Sequence, residues 1–140
     1  MSMTPLQEMN SALETKPLES SRNIQMVLAS GSKLFLKGLS TLLKDQIENI
    51  KITTLTSYEG IGKYVPSLKP EILFVDNTTL KHEVQRLLHF VIDSSPGTSV
   101  ILFSLSLIDK VDLPNVIFLG KNADSSKLIS IIKSVKLRKN

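Results

Sequence analysis

The side chains able to do chemistry stand at the ends of apolar runs. Asp76 closes "EILFVD", Ser104 closes "TSVILFS", Lys121 closes "NVIFLGK", and Ser30 and Gly31 follow "NIQMVLA". A carboxylate, a hydroxyl and an ammonium at one edge of a fold make a polar crevice. Its Asp can cap the loop after its strand or pair with Lys121, and the crevice can accept a small anion or nucleotide. The Ser30-Gly31-Ser32 turn brings no charge to it. No Ser–His–Asp or Cys–His constellation is present, and zero cysteines exclude disulfides, thiolate catalysis and zinc ribbons. His82 and His89 are seven residues apart on one predicted helix and read as surface residues, without a third metal ligand. Gly60-x-Gly62-Lys63 lacks the spacing of a phosphate-binding loop and reads as a glycine-loosened helix. Asn77-Thr78-Thr79 matches a glycosylation sequon, which at the end of an interior strand is a coincidence. The chain reads as a non-enzyme.

The elements that must position these residues alternate. "NIQMVLA", "EILFVD" and "TSVILFS" are short, nearly continuous apolar runs, as expected of strands covered on both faces. "IKITTLT" is β-branched, and "NVIFLGK" supplies a fifth strand. Between them lie helical patterns: Phe35, Leu39, Leu42 and Leu43; Ile61, Val65 and Leu68, weakened by Gly60, Gly62 and Pro66; and Val84, Leu87, Leu88 and Val91. A final helix buries Leu128, Ile131, Ile132 and Val135. Alternating buried strands and amphipathic helices predict an α/β fold. Right-handed crossovers then leave the flavodoxin-like, doubly wound five-stranded parallel sheet, order 2-1-3-4-5, as the simplest topology. Its crevice lies at the C-terminal strand ends, where Ser30, Gly31, Asp76, Asn77, Ser104 and Lys121 fall. The connection Leu105–Pro114 is ten residues long. That predicts a fourth helix shortened or missing, since a full crossover with its helix takes at least about ten to twelve.

The 140-residue chain is 41% hydrophobic and 21% charged, a globular composition of one domain. No apolar run is long enough to span a bilayer, and the N-terminus lacks the order of a secretory signal. A cytoplasmic location is the expectation, with no membrane contact. The net charge is +4, part of it in "KSVKLRKN" with Lys133, Lys136, Arg138 and Lys139. Cations favoured by a helix C-terminus explain that cluster better than nucleic-acid contact does. Residues 1–22 read as a flexible or partly helical tail, with Thr4 capping a short helix that presents Leu6, Met9 and Leu13. Residues 23–137 form the domain, and 138–140 its end or the start of a linker.

The order of these signals resembles a response-regulator receiver domain of the NarL/LuxR type. Receivers of that type have Ala-Asp-Asp-His-Pro-Leu-Phe after the first strand, then Gly-Leu; here stand Ala29-Ser30-Gly31-Ser32-Lys33-Leu34-Phe35, then Gly38-Leu39. "LKPEILFVD", "VILFS" and "VIFLGKNADSSKLISIIKSV" resemble the later landmarks. The resemblance implies that Asp76 holds the phospho-acceptor position, Ser104 and Phe118 the switch positions, and Lys121 the phosphate-contacting position. Ser30 and Gly31 then occupy the positions of the two acidic residues that hold Mg²⁺. Without that pair, magnesium binding is expected to be weak or absent, and Lys121 is expected to pair with Asp76. The expected function is that of an atypical (pseudo-) receiver in two-component signalling and transcription regulation, working through a protein partner or a homodimer. A conventional phosphorelay receiver modified on Asp76 and a small-anion or nucleotide module stand as alternatives. DNA contact is expected only through a helix-turn-helix domain outside these residues. The chain reads either as an excised N-terminal domain or as a stand-alone receiver.

Overall fold

The computed structural model describes residues 23–80, 83–106 and 113–138. The strands are β1 (Ile24–Ala29), β2 (Ile50–Leu55), β3 (Ile72–Asp76), β4 (Ser99–Phe103) and β5 (Val116–Leu119). The helices are α1 (Lys33–Gln46), α2 (Tyr58–Leu68), a four-residue α3 (Asn77–Leu80), α4 (Val84–Ser94) and α5 (Ser125–Arg138). The sheet runs β2-β1-β3-β4-β5 with every pair parallel, the predicted order.

Apolar runs become interior strands here because side chains alternate between two cores. Ile24, Met26 and Leu28 of β1, and Ile72 and Phe74 of β3, pack with α1 and α5 on one face. Val27, Ala29, Leu73 and Val75 pack with α2 and α4 on the other. Fully burying such an aliphatic side chain stabilises by roughly 1.5–3 kcal/mol, so a strand with two apolar faces holds its place at the centre. β2 has partly exposed positions and lies at the edge. Phe35, next to the crevice turn, anchors α1: its ring centroid lies 6.2 Å from that of Phe74, which in turn lies 6.3 Å from Phe103.

Serine hydroxyls cap the first two helices. Ser32 caps α1 by accepting from the Phe35 N–H, and Ser57 caps α2 by accepting from the Gly60 N–H. On α1 the buried residues are Leu36, Leu39 and Leu43, with Phe35 and Leu42 half-buried beside them. The α2 helix continues through Pro66 and buries Ile61 and Val65. Leu68 departs from the expected inward face. It is the last residue of α2, and the turn into Lys69 at φ 44° leaves it exposed. The α4 core residues are Val84, Leu87, Leu88 and Val91, as expected. On α5, Leu128, Ile132 and Val135 are buried and Ile131 is only half-buried. No described helix is long and apolar enough to cross a membrane. The expected tail helix, His82, Lys139 and the core of the shortened crossover lie outside the described residues.

Candidate functional site

Parallel strands bring their C-terminal ends to one edge, and the connections there supply the site. The β1 strand ends at Ala29, and the Ser30 N–H extends the ladder to the Leu55 carbonyl at 3.0 Å. The β3 strand ends at Asp76, with only 2% of its surface exposed. Backbone pairing therefore fixes Ser30 and Asp76 next to each other. The Ser30 hydroxyl donates to Asp76 Oδ2 at 2.6 Å.

Two further hydroxyls come from α3. Its single turn folds Thr78 and Thr79 back over the end of β3. The Thr78 N–H and Oγ1 both donate to Asp76 Oδ1, at 3.0 and 2.5 Å. Thr79 Oγ1 donates to Asp76 Oδ2 at 2.9 Å and accepts from the Gly31 N–H at 2.8 Å. Ser30 Oγ in turn accepts from the Ser32 N–H at 3.0 Å. A carboxylate has about four lone-pair sites, and four donors meet Asp76, two on each oxygen. Buried polar groups demand such satisfaction. Here hydroxyls and one backbone N–H provide it.

The expected Asp76–Lys121 ion pair is not formed. Lys121 lies past β5, two strands from β3, and strands are spaced about 4.8 Å apart. The lysine is exposed, and the lone pairs that it would approach are already taken. It lines instead a cavity of about 470 Å³ with Ser104, Phe118, Asn122 and Lys127. Ser104 is buried and accepts from the Ser106 N–H at 3.1 Å. Phe118 is half-buried, packed against the α2–α4 core on one side and facing this cavity on the other. The crevice thus has two compartments: a closed one around Asp76 and an open one around Lys121.

The residues present do not fit the magnesium site that the resemblance implies. Ser30 turns its hydroxyl onto Asp76. A Cβ built at Gly31 would lie 3.3 Å from the Thr79 Cβ, so the position has little room for a longer side chain. Among the described residues no group of three or more His, Cys, Asp or Glu side chains gathers anywhere.

Sequence reasoning placed Ser30, Gly31, Asp76, Asn77, Ser104 and Lys121 at the C-terminal strand ends; in the structure Ser30, Gly31, Asp76 and Asn77 gather around the closed compartment, and Ser104 and Lys121 line the open one with Phe118. It missed Thr78 and Thr79, read only as part of a sequon. Hydroxyls two and three residues after a strand-terminal Asp are the available signal, since side chains at that spacing bond locally. It also missed Tyr58, whose hydroxyl donates to Asn77 Oδ1 at 2.7 Å and ties α2 to the start of α3. His89 is exposed, as expected.

No protein-family model matches the sequence, and no curated protein matches it. Solved structures do. A response-regulator receiver domain protein from Bacillus halodurans aligns over 81% of this chain and 97% of its own, at 16% identity and TM-score 0.68. A DNA-binding response regulator of the LuxR family from Staphylococcus aureus aligns over 81% and 98%, at 13% identity and TM-score 0.64. The receiver domain of a sensor histidine kinase from Pseudomonas aeruginosa, solved with a magnesium ion coordinated in its active-site cleft, aligns over 81% and 98%, at 7% identity and TM-score 0.66. These likenesses show that the chain has the fold of response-regulator receiver domains.

Proposed function

We propose that residues 23–137 act as an atypical receiver, signalling through a protein partner or a homodimer without magnesium-dependent phosphorylation of Asp76. The observation that carries this is the saturation of Asp76 by Ser30, Thr78 and Thr79. Phosphoryl transfer to a carboxylate brings two anions together, and a metal normally neutralises the charge that builds up. Two carboxylates would seat that metal; Ser30 and Gly31 supply none. Attack would also require Asp76 to release a donor from the oxygen that reacts. The Pseudomonas receiver shows what the same fold holds when its cleft takes magnesium.

The test is exposure to acetyl phosphate and Mg²⁺, followed by intact-mass measurement. The reading predicts no phosphoryl adduct on the wild-type chain. A stoichiometric gain of one phosphoryl group, absent in Asp76→Asn, would establish the conventional phosphorelay receiver instead.

The open compartment favours a second reading, a module for a small anion or nucleotide. Its cavity presents Lys121 and Lys127 together with the Asn122 amide. Stabilisation by an anion in the absence of Mg²⁺, lost in Lys121→Met, would support it.

A further inference from the structure

Charge is distributed unevenly between the two helical layers. The α1 and α5 helices carry Lys33, Lys37, Lys44, Lys127, Lys133, Lys136 and Arg138 against the single acid Asp45. In α2 and α4, Lys63 and Arg86 are balanced by Glu59 and Asp93. At 3.6 residues per turn, Lys33, Lys37 and Lys44 fall within about 40° of one another, in a row about 16 Å long. All three are exposed, and among the described residues none has a carboxylate within ion-pair reach.

The row borders a groove of about 480 Å³ between α1 and the edge strand β2. Hydroxyls of Thr41, Thr54 and Thr56 line it beside the lysines. Among the described residues the only apolar side chain in the lining, Leu36, is buried, and no aromatic ring lines the groove. Protein interfaces are built around apolar and aromatic centres, and single strands are held by stacking bases on aromatic rings. Neither feature is present. Lysines and hydroxyls without rings are the donors that meet phosphate oxygens. Duplex RNA is recognised over about 16 base pairs, across successive minor grooves, a span far longer than this row.

We propose that the α1–β2 groove is a sequence-independent docking surface for the phosphate backbone of duplex DNA. The site is separate from the Asp76 crevice and does not depend on how that crevice works. Binding draws its strength from counterion release, so it weakens steeply with salt.

The test is fluorescence anisotropy of a labelled duplex of about 20 base pairs, titrated with the full chain from about 50 to 200 mM salt. Two triple variants with equal charge change are compared, K33Q/K37Q/K44Q on the groove and K63Q/K69Q/R86Q on the opposite layer. Circular dichroism confirms that both are folded. The groove variant is expected to bind at least about tenfold more weakly at the lowest salt, with a log–log salt slope shallower by about 2.7. The opposite-layer variant should stay within about twofold of wild type. Equal weakening of both variants would reduce the effect to net charge and overturn the proposal. So would no binding by the wild type, or tighter binding of a single strand of equal length or of polyglutamate.

Discussion

The two halves of the crevice contain complementary charges yet are built oppositely. Around Asp76 the carboxylate is buried and every lone pair has a donor. Around Lys121 the ammonium is exposed on an open cavity. Neutral hydroxyls, held by the chain connections after β1 and β3, have taken over the work of solvating the anion. A buried anion can be stabilised by dipoles already fixed in place, without a counter-charge.

The sharpest way to break this contrast is to introduce an acid. Ser30→Asp would set a second carboxylate against Asp76 Oδ2 in a buried position. It should destabilise the fold by about 3–5 kcal/mol, measured by urea denaturation. Added Mg²⁺ should not recover that loss while Thr79 remains over Gly31. Recovery by Mg²⁺ in the single variant would mean that the closed compartment opens readily to metal.

A smaller effect is expected from Ser30→Ala, which removes one buried donor to a charged group. The cost should be about 1.5–3 kcal/mol, with the denaturant slope unchanged. Tyr58→Phe removes the hydrogen bond that the Tyr58 hydroxyl donates to Asn77 and should cost about 0.5–1.5 kcal/mol in the same assay. Smallest of all is Lys121→Ala: an exposed side chain without an ion pair should change stability by less than about 0.5 kcal/mol. A loss of several kcal/mol there would restore the Asp76–Lys121 pair and erase the difference between the compartments.

The strands were legible because each interior run is apolar on both faces, and only a parallel sheet between two helical layers can bury both. Placing Asp76, Ser104 and Lys121 at one edge followed from the topology alone. What was not legible was where their side chains turn. Asp76 and Lys121 both close apolar runs in the sequence, which made an ion pair the natural expectation. The outcome depended on a four-residue helix, Asn77–Leu80, too short to leave a periodic signal. Thr78 and Thr79 reach Asp76 only because that turn forms. Leu68 shows the same limit, since helical spacing assigns a face but does not mark where the last turn clears the core.

The central claim is that Asp76 is satisfied by hydroxyls and has no place for a divalent ion. Thermal unfolding with MgCl₂, against NaCl at matched ionic strength, tests it most directly. The account predicts identical midpoints in the two salts for the wild type and for Asp76→Asn. A saturable rise in midpoint specific to Mg²⁺, present in the wild type and absent in Asp76→Asn, would contradict it.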